Sequence, residues 1–257
     1  MKTLKESISE AMGVFDEELF PFLSYFLSDF WEMGSDPDTI IRIIKKHFPG
    51  KTDLKVADLG CGKGPVSVKI ARELNYTCFG VDGVPEFIET AIEKAKEYNV
   101  SALCKFRVGD LREVLQTLPA QDIIILGAVG PVFGDYYTTL EQLKTHLNEQ
   151  GMIILDEAYT GVDPDAAFPQ VLAREKLFGY FKSAGLKVIE EIIAREDEKN
   201  ITAYDTEFEK LKSRCAELSN QYPEKAHLFS KYLENQAKQY KALKSSVIGV
   251  TLALVRK

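Results

Sequence analysis

The 257-residue sequence predicts an α/β protein: a doubly wound, seven-stranded, mostly parallel sheet covered by helices on both faces. Three observations carry this. From residue 54 onward, short apolar runs alternate with stretches of helical spacing, the pattern of strands joined by crossover helices. The first run ends in a glycine-rich turn, and later runs end in Gly or Asp, as loops at one edge of a parallel sheet do. A hydrophobic content of 45% supplies a core for one large α/β domain, or for one domain with an appended subdomain.

The elements follow in order. Residues 1–50 read as helical and aromatic, with Phe15, Phe20, Phe22, Tyr25, Phe26, Phe30 and Trp31 crowded together and Pro21 suited to a first helical turn. Gly34-Ser35-Asp36-Pro37 is a turn in which Ser35 or Asp36 caps the next helix, which runs through Ile40–Phe48 to Pro49-Gly50. Strands are expected at Leu54–Leu59, Thr77–Val81, Cys104–Val108, Asp122–Leu126 and Met152–Leu155, with helices at Val66–Leu74 and Pro85–Tyr98. A helix after Asp163-Pro164 ends near Gly185, and Lys187–Ile193 and Ser246–Val255 complete the strands. Between these last two strands, at about 200–244, a helical hairpin is expected, broken at Tyr222-Pro223.

Composition narrows the function. The net charge of −7 gives no overall field toward phosphate backbones, which disfavours a nucleic-acid partner. Cys61, Cys78, Cys104 and Cys215 form no C-x-x-C pair, and three scattered histidines offer no zinc-ligand spacing, so no metal is expected. The N-terminus is too polar for a signal peptide, and no apolar run reaches the roughly 20 residues of a membrane span. The chain is therefore read as cytoplasmic.

The strongest chemical signal is Val56-Ala-Asp-Leu-Gly-Cys-Gly-Lys-Gly64, between a strand and a helix. Glycines here let the backbone turn sharply and approach a ligand closely. The spacing is G-x-G-x-G, with Asp58 before the first glycine and Pro65 after the third. A pyrophosphate-binding turn wants G-x-G-x-x-G and no carboxylate in front of it. This acid suits a ligand carrying an ammonium and a sulfonium.

The stretch resembles motif I of the class I S-adenosylmethionine (SAM)-dependent methyltransferases, and the matching extends to about residue 195. The resemblance implies a Rossmann-like sheet with an antiparallel last strand. It implies a SAM-binding domain at 51–257, preceded by a helical lid or cap at 1–50. Gly60, Cys61, Gly62 and Gly64 would line the methionine portion, with Asp58 orienting its polar groups. Asp82, ending the second strand beside Gly83, would accept from the ribose hydroxyls, and Val84 would pack on the adenine. Gly109, Asp110 and Leu111 would meet the adenine edge. Taken alone Asp82 reads better as a solvated turn residue, and beside the glycine-rich loop better as a ligand contact; Asp110 can cap a helix and meet the adenine at once.

The fourth and fifth strand ends border the same crevice. Gly127 and Ala128 would present backbone groups to the cofactor. Phe133, Asp135, Tyr136 and Tyr137 are either acceptor contacts or loop anchors and a cap. Asp156, Glu157 and Tyr159 end the fifth strand. Asp156 and Tyr159 are the candidate catalytic groups, Glu157 facing the opposite way by strand alternation. The aromatic N-terminal segment is either core or a lid. The lid reading places Tyr25 and Trp31 nearest the acceptor. The hairpin is a candidate roof or homodimer contact.

The activity implied is in-line methyl transfer to a small molecule. The Asn/Asp-Pro-Pro-Tyr motif common when the target is a planar nucleic-acid or protein nitrogen is absent, strand four ending in Gly-Ala-Val-Gly-Pro. Two rival classes are a nicotinamide-dependent oxidoreductase and a non-catalytic SAM-binding module.

Overall fold

The computed structural model describes residues 2–161, 170–194 and 198–257, the last stretch with its side chains from residue 203 onward. Its helices are α1 (Leu4–Ala11), α2 (Leu23–Phe26), α3 (Pro37–His47), α4 (Pro65–Leu74), α5 (Pro85–Glu97), α6 (Leu111–Val114), α7 (Tyr136–Thr145), α8 (Arg174–Ser183), α9 (Glu198–Gln221) and α10 (Ala226–Leu243). The strands are β1 (Lys55–Leu59), β2 (Thr77–Asp82), β3 (Cys104–Val108), β4 (Gln121–Gly127), β5 (Leu147–Thr160), β6 (Leu172–Ala173), β7 (Leu186–Ile193) and β8 (Val247–Arg256).

The strands form one mostly parallel sheet in the order β3-β2-β1-β4-β5-β8-β7, antiparallel in its last strands, with the short β6 paired to β5. The doubly wound, Rossmann-like sheet expected from the sequence is thus observed, with the two-residue β6 as an eighth strand beyond the seven expected. Strand order reverses between β1 and β4, the place where open α/β sheets bind ligands. β1 pairs β2 from Val56↔Cys78 to Leu59↔Val81, and β4 from Val56↔Ile123 to Leu59↔Leu126, so all three end level at one edge. The central strands are apolar throughout because both faces are covered. Val56, Ile123, Ile125, Met152 and Ile154 pack with Ile40, Ile43 and Ile44 of α3 and with Val68 and Ile70 of α4.

Local signals explain the starts. Asp36 caps α3, its Oδ1 accepting from the Asp38 N–H, and Pro37 takes the first helical position. Pro65 and Pro85 begin α4 and α5 in the same way. Thr3 and Glu6 close a reciprocal capping box on α1. Pro21 lies inside a 3-10 turn, Glu17–Phe22, rather than opening an α-helix. β5 runs well beyond the apolar Met152–Leu155 seen in the sequence, because polar residues flank that run and carry no periodicity. The start of the helix expected after Asp163-Pro164 lies outside the described residues.

The described residues divide into two units. One comprises those of Met1–Phe30, Ala158–Arg174 and Ile193–Gly249; the other those of Trp31–Glu157, Glu175–Ile192 and Val250–Lys257. α3, grouped with the cap on sequence grounds, thus has its isoleucines in the sheet core. In the first unit the hairpin of α9 and α10 is joined by a 3-10 turn at Pro223–Lys225. The N-terminal aromatics pack on it: the Phe22 ring centre lies 5.1 Å from Tyr222 and from Phe229, and Phe26 stacks on Tyr232 at 4.6 Å. Arg214 clamps the outside, donating to both Asp29 oxygens at 2.7 and 2.8 Å and to Glu217 at 2.9 Å. Phe26 is fully buried, so Phe26→Ala is expected to cost about 3–5 kcal/mol, read as a lowered denaturation midpoint. An unchanged midpoint would mean this aromatic cluster does not hold the unit together.

No helix of the described residues is long and apolar enough to cross a membrane.

Candidate cofactor and acceptor site

β1 delivers Leu59 into the turn Gly60–Gly64, and β2 holds that turn from below. The Gly60 and Cys61 amides both donate to Val81 O, at 2.8 and 2.9 Å, and Gly64 N donates to Cys61 O at 2.9 Å. The three glycines have φ of 78°, 52° and 74°, the left-handed region that side chains avoid. Gly60 also needs its bareness for space, since a Cβ there would fall 2.2 Å from Val129 Cγ2. Cys61 is buried, which pushes its thiol pKa well up and makes it inert packing.

Asp82 locks the turn to β2. Its Oδ2 accepts from Gly62 N and its Oδ1 from Val84 N, both at 2.9 Å. Each carboxylate oxygen has two lone pairs, so both keep an acceptor position beyond these bonds. Burial raises its pKa against those stabilising amides. Val84 is buried at the start of α5, and Gly109 N donates to Asp82 O at 2.9 Å, which draws the end of β3 alongside.

Asp110 caps α6, accepting from Arg112 N at 2.9 Å, and the Arg112 guanidinium also grips it, Nε to Oδ1 at 2.8 Å and Nη2 to Oδ2 at 2.6 Å. That side-chain pairing holds its carboxyl below the usual range. Leu111 is buried behind it.

Asp58, expected to help orient the ligand's polar groups, lies inside the fold at the end of β1. It is 2% exposed, and its Oδ2 accepts from Ser67 Oγ at 2.7 Å, tying β1 to α4. Burial first, then the charges of Asp82 and Asp156, push it up to about 6 against the Ser67 bond. Register explains the turn inward: Asp58 shares its face with Val56, which is packed in the core.

At the end of β4, Gly127 is followed by Ala128 with φ 55°, a left-handed non-glycine residue, whose N–H donates to Asp156 O at 2.8 Å. Asp156 is 6% exposed. Its Oδ1 accepts from Thr251 Oγ1 of β8. Oδ2 has no hydrogen-bond partner of normal geometry among the described residues, with Ser35 its hydroxyl neighbour. Burial lifts the carboxyl to about 6, opposed by Thr251 and Ser35. Glu157 faces the other way and accepts from Tyr136 OH at 2.9 Å. Burial and this carboxylate raise the Tyr136 pKa. Tyr136 is therefore an anchored residue, and Asp135 is the cap of α7, accepting from Thr138 N at 2.7 Å. Phe133 is half-buried and Tyr137 exposed.

Three further candidates have these surroundings. Tyr25 donates to Glu217 Oε2 at 2.5 Å, under Arg214, on the helical unit. Tyr159 is buried with the Arg174 guanidinium 5.9 Å from its ring centre. Trp31 donates through Nε1 to Lys63 O at 3.0 Å and packs beside Tyr98 and Lys94 of α5. Met33, Ser35, Val129 and Thr251 also reach the site's loops and were not singled out from the sequence, since none lies in a motif.

Carboxylate acceptors gather at these strand ends. Carboxylates of Asp82 and Asp110 stand at the β2 and β3 ends beside a bare glycine turn, and Asp58 and Asp156 add negative potential behind it. In comparison with known proteins, a family model described as a methyltransferase domain matches residues 51–202, more than half of the chain. The chain belongs to the class I SAM-dependent methyltransferases. That membership removes the nicotinamide-dependent reading.

A SAM-dependent methyltransferase from Geobacter sulfurreducens, solved with S-adenosyl-L-homocysteine (SAH), shares the fold at a TM-score of 0.77 with 19% identity, covering 92% of this chain and 98% of that one. A tRNA (guanine(37)-N(1))-methyltransferase from Paramecium tetraurelia is 34% identical over 35% of the chain and 21% of its own length. A release factor glutamine methyltransferase from Coxiella burnetii is 30% identical over 42% of the chain and 38% of its own length. The chain thus matches well under half of these two curated relatives.

Proposed function

We propose that this protein transfers a methyl group from SAM to a small-molecule acceptor. The observation that carries the cofactor half is the Asp82 carboxylate, fastened to the Gly60–Gly64 turn through Gly62 N at 2.9 Å. This puts a diol acceptor and a bare glycine backbone side by side at the switch point of the sheet. When bound, SAM supplies an activated sulfonium methyl. The chain's residues do the rest: Gly60, Gly62 and Gly64 seat the amino-acid tail, Asp82 the ribose, and Gly109, Asp110 and Leu111 the adenine edge.

The small-molecule reading rests on the chain's charge of −7 and on the Gly-Ala-Val-Gly-Pro end of β4. The tRNA and protein acceptors named for the two relatives belong to proteins matched over a minority of their length. A cytoplasmic location fits the same composition.

Asp156 is proposed as the general base: its Oδ2 would take the proton that the acceptor's nucleophilic atom loses as that atom bonds the methyl carbon, the S–CH3 bond breaking with its electron pair left on sulfur and SAH leaving. A carboxyl titrating near 6 is ionised at neutral pH yet basic enough to serve. Radiolabelled methyl transfer to a panel of hydroxyl, amine, thiol and carbon acceptors tests this. Turnover is expected to rise through about pH 6 in the wild type and to lose that limb in Asp156→Asn. An Asp156→Asn profile matching the wild type across pH removes the base role.

The same group bears on stability. Its folded pKa is raised above 3.8, so its contribution is fully present below 3.8 and is lost as pH rises through about 6.

A further inference from the structure

The segment just before α3 belongs to no motif, yet it touches both glycine turns. Trp31 is pinned to Lys63 O at 3.0 Å. Met33 Cε lies 3.5 Å from where a Cβ on Gly62 would be. Gly34, with φ 75°, comes so close to Ala128 that a Cβ on it would fall 2.6 Å from the Ala128 methyl carbon. Ser35 Oγ fills the space in front of Gly127, 2.2 Å from a Cβ placed there, and neighbours Asp156 Oδ2. Asp36 then fixes the far end as the α3 cap.

These contacts fall on one side. Along the edge the order is β3, β2, β1, β4, β5, and the strand-end groups that the segment meets are the turns after β1 and β4 and Asp156 of β5, while Trp31 also packs beside Tyr98 and Lys94 on the α5 side. Asp82 and Asp110, proposed for the adenosine half, stand at the β2 and β3 ends. We propose that Trp31–Ser35 is a strap forming one wall of the methionine end of the cofactor subsite, an inference that rests on the SAM reading above. Trp31 anchors it, Met33 lays a methyl over Gly62, bare Gly34 lets the two backbones close up, and Ser35 brings a hydroxyl over Gly127. An ammonium and carboxylate tail needs such polar partners and a closed wall, because charge recognition strengthens as water is excluded. The nucleoside needs neither from this strap.

The test titrates wild type, Met33→Ala and Gly34→Ala with two probes, SAH and 5′-methylthioadenosine, which lacks the amino-acid tail. Trp31 is the chain's single tryptophan, so its fluorescence reports on the strap directly. Both variants, with melting curves as controls for folding, are expected to lose about tenfold or more in SAH affinity while 5′-methylthioadenosine affinity stays within about twofold. The Trp31 emission is expected to shift with SAH and not with 5′-methylthioadenosine. Met33→Ala leaves the backbone free of strain, so it carries the test if Gly34→Ala does not fold. Equal losses for both probes, or no loss for either, overturn the strap while leaving the SAM reading in place. A wild type that binds neither probe overturns the SAM reading, and the strap with it.

Discussion

Asp82→Ala is expected to weaken SAH binding by about 2–4 kcal/mol, roughly 30- to 1000-fold, the loss of charge-assisted hydrogen bonds to the ribose diol. The same substitution releases Gly62 N and Val84 N, which now donate to the carboxylate at 2.9 Å. The turn that seats the ligand's tail therefore loses its fastening to β2 as well. Stability should fall less than affinity, because burial makes the ionised carboxylate itself costly. Asp82→Asn is expected to behave like the alanine variant, since its amide group would turn a donor toward one of the two backbone N–H groups. Calorimetric titration with SAH checks both variants. Wild-type affinity in either one would detach Asp82 from the site.

Gly64→Ala is expected to destabilise the sheet unit strongly. Gly64 is the N-terminal cap of α4 at φ 74°, and its carbonyl accepts from Val68 N at 3.0 Å. An alanine there costs about 1–2 kcal/mol for the left-handed backbone. The added Cβ would also lie 2.8 Å from Ala91 Cβ and 3.0 Å from two Phe106 ring carbons, so α5 or β3 must give way. Such overpacking adds about 1–3 kcal/mol. A denaturation midpoint lowered by the corresponding 2–5 kcal/mol, at about the sum of those two costs, is the expected result. An unchanged midpoint would mean that the turn can adopt an ordinary backbone and that its shape is not fixed by packing.

What the sequence revealed and what it hid follow from the range of the interactions. Gly60–Gly64, Asp82 and Asp110 were legible because each lies at a strand end, where a local run of residue types declares both the element and its terminus. The alternation of β1, α4, β2, α5 and β3 was legible for the same reason. Contacts between distant segments left no local trace. Thr251 reaches Asp156 across β5 and β8, and Ser67 turns Asp58 inward from the next helix. Gly34 and Ser35 read only as a turn or a helix cap, and Met33 gave no signal, since loops carry no periodicity and their partners lie on the two glycine turns. The aromatic residues near the N-terminus signalled burial without naming a partner. Phe22 and Phe26 found theirs on the hairpin and its joining turn, whereas Trp31 went to the glycine turn. Tyr136 read from the sequence as either an acceptor contact or a loop anchor, and its bond to Glu157 comes from a distant strand that leaves no local signal.

A crystal structure of this chain grown with saturating SAH tests the proposed site most directly. Both ribose hydroxyls should lie within hydrogen-bonding reach of the Asp82 carboxylate, about 2.5–3.0 Å, with the amino-acid tail along Gly60–Gly64. A nucleoside bound away from the β1–β2 edge, a ribose turned from Asp82, or no bound nucleoside at all would contradict it.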